Sequence, residues 1–320
     1  MILELADVEA AGERIAGRVH RTPTFGSETL SERAGGAVVH LKAELFQKTG
    51  SFKPRGALNK LSQLSEDEKA RGVISISAGN HAQALAYASA QEGIDALLVM
   101  WQGASEAKIA ATRGYGAEVD LESADPTEAF ARLDELAEQT GRTPIHPFDH
   151  PRTIAGQGTV GLEVVENVPD VDVVVVPVGG GGLISGIAPA VRGLKPEARV
   201  VGVEPELSPA MHEALAAGEP VPVSPGSIAD GLAAPFAGTH ALEIVREQVE
   251  RVVLVSETEL EEAMRFLYTR AKLACEAAGA ATTAALLAGK VELGPQERVV
   301  AVVSGGNVAT DTAVAILAGR

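Results

Sequence analysis

One lysine in the chain stands in a setting suited to covalent chemistry. Lys53 lies within Ser51-Phe52-Lys53-Pro54-Arg55-Gly56-Ala57, between an aromatic ring and a proline. Proline has no N–H and a preset φ, so Pro54 suits the first turn of a helix and places Lys53 at its entrance. There the positive end of the helix dipole and the apolar wall of Phe52 disfavour the ammonium form. A lysine held as a free amine is a nucleophile toward carbonyl groups, as a Schiff base requires. A lone lysine is ordinarily a solvated surface residue, so the weight falls on what the rest of the chain sets beside it.

Three further stretches carry residues fit for a site. Val73-Ile74-Ser75-Ile76 followed by Ser77-Ala78-Gly79-Asn80-His81 and an Ala-rich run reads as strand, tight turn and helix. Ser77, Ala78, Gly79, Asn80 and His81 thus fall at a helix start, where outward N–H groups can receive an anion such as a carboxylate. A Val-rich strand, Val171 to Val178, runs into Gly179, Gly180, Gly181 and Gly182 and then a helix from Leu183. Bare backbone leading into a helix start is a phosphate cradle. The run has neither the dinucleotide Gly-x-Gly-x-x-Gly spacing nor the Gly-Lys-Ser/Thr of a P-loop. A final strand, 299–303, ends in Ser304-Gly305-Gly306-Asn307.

These stretches need strands and helices to hold them, and the periodicity supplies them. Helices are expected over 3–18, from Lys53 to about Leu64, and over 104–114, 126–140, 152–168, 257–273 and 279–289, with strands at 37–42, 97–100, 117–121, 199–204 and 252–255. Strands alternating with helices imply an α/β fold with parallel-rich sheets. The compact block 65–145 reads as a small domain, and 1–64 with 146–320 as a large one.

Composition narrows the function. The chain has 320 residues, 46% of them hydrophobic, and 34 glycines, enough for two domains with buried cores. Its 27 basic residues face 43 acidic ones for a net charge of -16. With no basic footprint for phosphates, neither nucleic acid nor an anionic membrane is an expected partner. Only 9 of the basic residues are lysines, and an acidic, lysine-poor surface suits high salt, where screening reduces self-repulsion. The single cysteine, Cys275, excludes an intrachain disulfide and reads as a small core residue. No signal-like N-terminus and no apolar run of about 18 residues appears, so a cytoplasmic protein is expected.

Taken together, SFKPRGA at 51–57, SAGNHAQ at 77–83, GGGGL at 179–183 and SGGN at 304–307 resemble the fold type II pyridoxal phosphate (PLP) enzymes, whose fold is like that of the tryptophan synthase β chain. The branch they resemble most is that of threonine dehydratase and serine racemase, with FDHPRTIAGQGT at 148–159 and ATRGYGAEV at 111–119 in support. The resemblance implies two three-layer domains, a large PLP-binding one and a small substrate-gating one. It implies that Lys53 forms the Schiff base with PLP, that Phe52 packs beside the ring and that Asn80 meets its 3′-oxygen. Gly179 to Gly182 would hold the phosphate, and Ser304 the ring nitrogen. Ser77 to His81 would receive the substrate carboxylate. A neutral serine at the ring nitrogen gives a weaker electron sink, which favours prompt loss of a β-leaving group. Glu276 resembles the family's glutamate near the ring.

Two positions discriminate within the branch. Racemases need a second acid–base group across Cα, and the resembling racemases place a serine where this chain has Ala78, which has no proton to give. Phe148 stands where racemases often carry asparagine. Racemase-like members also bind a divalent cation; Glu204 and the Ser208 carbonyl match two ligands, but Ala210 stands at the third, so no metal is expected. The expected activity is removal of water from L-threonine, and from L-serine, giving 2-oxobutanoate or pyruvate and ammonia. Serine racemase, hydroxyaspartate dehydratase and a PLP-fold binding protein without catalysis are the alternatives, and an intact Lys53 argues against the last. The resemblance implies a homodimer or homotetramer. A place in isoleucine biosynthesis is expected beside a degradative one. With the sequence stopping at Arg320, feedback by isoleucine through an appended domain is not expected.

Overall fold

In the computed structural model, residues 3–319 are described, the side chains of Pro126 and Thr127 excepted. The chain opens with helix α1 (Leu5–Ile15), strand β1 (Thr24–Gly26), α2 (Glu28–Arg33) and β2 (Val38–Ala43). Two short 3₁₀ turns then lead into α3 (Lys53–Leu61), with Pro54 in its first turn as expected. Next come α4 (Glu66–Arg71), β3 (Val73–Ile76), α5 (Asn80–Glu92), β4 (Ala96–Trp101), α6 (Glu106–Gly114), β5 (Glu118–Ser123), α7 (Pro126–Thr140) and β6 (Thr143–Pro144). The remainder comprises α8 (Pro151–Asn167), β7 (Val173–Pro177), α9 (Ile184–Leu194), β8 (Arg199–Pro205), α10 (Ala210–Ala217), α11 (Thr239–Gln248), β9 (Arg251–Val255), α12 (Glu257–Phe266), α13 (Ala277–Leu287), β10 (Arg298–Val303) and α14 (Thr310–Leu317).

The strands form two sheets. The larger has the order β1-β2-β10-β7-β8-β9 and the smaller β5-β4-β3-β6. Every pairing is parallel except β1 with β2. Strands buried on both faces need apolar residues throughout, which is why β7 reads as continuous valine. Val173 and Val175 face a core shared with α12 and α13, whereas Val174 and Val176 face one shared with α8, α9 and α11. The smaller sheet is layered likewise: Leu98 and Met100 pack toward α5, Leu97 and Val99 toward α7. The α/β class with parallel-rich sheets is thus the observed one.

Several boundaries depart from expectation. The first helix covers 5–15, not 3–18, and α3 stops at Leu61. The helix expected over 257–273 leaves α geometry after Phe266, passes through a π turn at Leu267–Ala271 and ends at Lys272, whose φ of 61° no regular helix allows. Strands β1 and β6 and helices α2, α4, α10 and α11 were not expected. All but α11 are short, and a few residues carry little periodic signal.

Two structural ties matter for the site. Helix α3 contributes Ala57, Leu58 and Leu61 to the core of the smaller sheet while also packing on α8, so it lies between the two halves. The turn 146–150 is fastened by Asp149, which accepts N–H groups of Thr239 (2.8 Å), His240 (3.4 Å) and Ala241 (3.2 Å) at the start of α11. A carboxylate at this position is favoured by the helix dipole as well as by the bonds. Asp149→Ala should therefore lower stability by about 1–2 kcal/mol, readable as a reduced urea midpoint with an unchanged m-value.

Candidate active site

The backbone brings Lys53 and the 304–307 turn together. Ser51 and Gly305 form an isolated antiparallel bridge, the Phe52 N–H donates to the Ser304 carbonyl (3.1 Å), and the Gly306 N–H donates to Gly50 (2.9 Å). The Glu276 N–H joins the same turn through the Gly305 carbonyl at 3.2 Å. Lys53, Ser304 and Glu276, far apart in sequence, thus converge at the ends of α3, β10 and α13.

Lys53 is partly buried. Its amine lies 5.2 Å from the centroid of the Phe52 ring and donates to the Pro147 carbonyl at 3.2 Å. Desolvation lowers its pKa to about 8, against the opposing charge of Glu276. The expectation that Phe52 disfavours the ammonium form is corrected: the amine lies over the ring face, which favours the cation, so burial alone accounts for the depressed pKa. The next residue after Pro147, Phe148, packs on the glycine turn: a Cβ at Gly180 would lie 2.4 Å from its ring. Gly181 adopts φ +93°, and a side chain there would meet Met211 and Ala241. The turn therefore has to be bare, and it leads straight into α9. Phe52 is half-buried against the core that holds this turn.

At the start of α5 the residues divide by role. The Ser77 N–H is taken by Val99 (3.2 Å), and the Gly79 N–H by the Ser77 hydroxyl (3.1 Å). The amides at the first turn of α5 point out along its axis. His81 is buried, with Nε2 2.9 Å from the Ser75 hydroxyl, whose own proton goes to the Ile145 carbonyl at 2.6 Å. Nε2 must therefore carry the proton. Burial, reinforced by the nearby charges of Lys53 and His146, holds its pKa well below the ordinary range. The His81 side chain is committed to Ser75; the expected role of Ser77 to His81 in receiving a carboxylate rests on backbone N–H groups at the helix start. Ala78 packs beside the core of the smaller sheet.

Asn80 is held at both ends. Its Nδ2 donates to Glu276 Oε1 (2.6 Å), and its Oδ1 accepts from Asn307 Nδ2 (2.8 Å). The same Asn307 amide donates to the Thr49 carbonyl at 2.7 Å. A carbonyl only accepts, so the amino end of Asn307 must point this way, and that fixes which end of Asn80 faces Glu276. Asn307 was quoted only as part of a motif, without a role; its partners lie too far off in sequence to be read from spacing. Glu276 is buried, and its Oε2 has no partner among the described residues. Burial first, then the charge of Asp230, raises its pKa to about 7. Asp230 is paired with Lys108 of α6, another contact that the sequence did not signal.

Other candidates resolve into structural roles. Glu204 is buried, its two oxygens accepting the Met211 and His212 N–H groups, each at 2.8 Å, and burial lifts its pKa to about 8. With Ala210 beside it, this carboxyl caps α10. Cys275 lies in the core with its thiol pushed up to about 12 by burial. Tyr115 meets Tyr87 edge-on, 6.0 Å between centroids, in the core of the smaller sheet.

The residues at this site fit PLP: a desolvated amine at Lys53, a bare turn at a helix start for a phosphate, a neutral hydroxyl at Ser304, and a buried Glu276 oxygen awaiting a partner. Comparison with known proteins points the same way. The family described as pyridoxal-phosphate dependent enzyme matches residues 15–305. The catabolic L-threonine dehydratase of Escherichia coli K12 is 46% identical over 304 residues, covering 94% of this chain and 92% of that protein. The L-threonine ammonia-lyase of Thermotoga maritima is 45% identical over 309 residues, 96% of this chain and 76% of that protein. Among solved structures, the T.th. threonine deaminase superposes with a TM-score of 0.89 at 41% identity, covering 96% and 99% of the two chains. Maize serine racemase superposes with a TM-score of 0.93 at 36% identity over 98% and 96%. This chain belongs to the pyridoxal-phosphate dependent enzymes, in the fold type II branch of threonine dehydratase and serine racemase.

Proposed function

We propose that the chain is a PLP-dependent L-threonine ammonia-lyase that also accepts L-serine. The observation that carries this reading is an asymmetry of acid–base groups: Lys53 supplies one, and Ala78, where a racemase needs the second, supplies none. Near-complete alignment with threonine dehydratases at 45–46% identity supports the same choice, and 3-hydroxyaspartate is the less favoured substrate.

Bound PLP supplies a carbonyl for an amine and an electron-withdrawing ring that acidifies the neighbouring C–H. The protein's own groups do the rest. Lys53 would hold the cofactor, Gly179 to Gly182 and the start of α9 would take its phosphate, and Asn80 and Ser304 would hold its ring without charging it. Free N–H groups at the start of α5, within Ser77 to His81, would orient the substrate carboxylate. Lys53 would be the group that takes the Cα proton, and its depressed pKa makes it a base near neutral pH. In the net reaction the proton lost from Cα and the hydroxyl lost from Cβ make one water, and hydrolysis of the resulting enamine consumes one water and gives the 2-oxo acid and ammonia.

We place the catalytic cleft between a small domain, 65–145, that gates substrate and a large one, 1–64 and 146–320. The protein is proposed to be cytoplasmic; no helix among the described residues is long and apolar enough to cross a membrane. A homodimer or homotetramer is the proposed assembly. The word catabolic in the name of the Escherichia coli relative favours a degradative role over isoleucine biosynthesis.

Incubation with L-threonine should give 2-oxobutanoate, and with L-serine pyruvate without D-serine; a visible cofactor band should be lost in Lys53→Ala. D-serine accumulating faster than pyruvate would replace this reading with racemisation. Because only the free amine captures a carbonyl, the rate of PLP uptake by the cofactor-free protein should rise roughly fivefold from pH 7 to 8 and level off above about pH 9, for an amine titrating at about 8. With a net charge of -16, adaptation to salt predicts a thermal midpoint that rises with KCl into the molar range; a flat or falling midpoint would leave an ordinary acidic enzyme.

A further inference from the structure

Directly behind Lys53 the structure buries four charges. Arg55, Lys42 and Glu44 have no exposed surface, and Glu163 has almost none. Arg55 uses its planar fork twice. Nε and Nη2 donate to the two Glu44 oxygens at 2.8 Å each, while Nη1 and Nη2 donate to the two Glu163 oxygens at 2.7 and 3.1 Å. Nη1 reaches Thr159 Oγ1 (3.1 Å) and Nη2 the His20 carbonyl (3.3 Å), so every guanidinium N–H has a partner. Lys42 completes the set with Glu163 Oε2 at 2.6 Å and the Thr22 carbonyl at 2.8 Å. The cluster is electrically neutral and ties α3 to β2, to α8 and to the 20–22 segment.

Such a cluster is a poor stabiliser. Removing four charges from water costs nearly what their attraction returns, and apolar replacements are often as stable. Its value must lie in geometry. Residues two apart on a helix point about 200° apart, so Arg55 grips the face of α3 opposite Lys53. Two bidentate pairs leave the guanidinium no freedom to turn. A rotation of α3 by roughly 10° would move an amine about 8 Å off the axis by more than 1 Å, an error able to cost a hundredfold in rate. The backbone contact agrees: a Cβ on Gly156 of α8 would lie 2.5 Å from the Arg55 carbonyl, so α3 and α8 meet without side chains between them.

We propose that Arg55, clamped by Glu44 and Glu163, is a positioning residue that fixes the rotation of α3 and thereby the place of the Lys53 amine. The inference rests on Lys53 being the reacting lysine, and the test separates the two claims. In the holoenzyme, Arg55→Lys keeps the charge and loses the fork. It should lower kcat for L-threonine about tenfold with KM within about twofold, and hydrogen exchange over 50–57 should quicken. The control Leu30→Ala opens a cavity in the core of the larger sheet and removes no partner of Arg55. It should lower the thermal midpoint while kcat stays within about twofold. Should Arg55→Lys fail to fold, Glu44→Gln, which keeps one acceptor, should show the same kcat-selective loss at about threefold. Unchanged kcat and exchange in the folded Arg55 or Glu44 variant would overturn the proposal, as would kcat losses that simply follow the midpoint in all variants. If the wild-type protein releases no 2-oxo acid, the functional reading fails instead, and exchange over 50–57 still reports on the clamp.

Discussion

The site depends on keeping one amine out of water. A solvated ammonium is inert toward a carbonyl, and at neutral pH an unperturbed lysine is almost wholly ammonium. Desolvation of Lys53 brings its pKa to about 8 although Glu276 pulls it back up. Burial of this kind has to be imposed by neighbours, because an isolated charged side chain would turn outward to water. Here the Phe52 ring and the Pro147 carbonyl stand against the amine itself, and the bridge between Ser51 and Gly305 fixes the chain just before it.

The two sheets supply those directions. In parallel sheets the turns after the strands gather at one end, where helix starts collect. The turns after β3, β7 and β10 carry Ser77 to Asn80, Gly179 to Gly182 and Ser304 to Asn307. Helix α3 packs on both the core of the smaller sheet and α8, and its start is joined to the turn after β10. The polar links across this space are ordered: Thr49 sets the direction of Asn307, Asn307 that of Asn80, and Asn80 one oxygen of Glu276. Glu276 is buried with its other oxygen without a partner among the described residues, and burial first, then the charge of Asp230, raises its pKa to about 7.

Much of this was legible in the residues. Where a feature depends on neighbours within a few positions, the sequence is a sufficient guide. Pro54 marks the helix start that presents Lys53; four consecutive glycines after a valine strand mark a bare turn; strand, Gly79 and an Ala-rich run mark the start of α5. Side-chain direction was not legible. His81 sits in the same motif as Asn80, yet it turns back to Ser75 and stays neutral. Glu204 and Cys275, chemically able residues, are used as a helix cap and as core.

By itself the sequence determined most of the longer elements, their alternation and the local turns at the site, since propensity, periodicity and proline or glycine geometry act over one or two helical turns. It also determined the chemistry available: one amine at a helix entrance and, at Ala78, no second acid. Tertiary structure alone decided which groups meet. Asn80 finds Glu276 across 196 residues and Asn307 across 227, and Arg55 finds Glu163 across 108. No local preference encodes such pairings. They exist because the two sheets and the helix between them set these residues side by side away from water, where a polar group must find a partner.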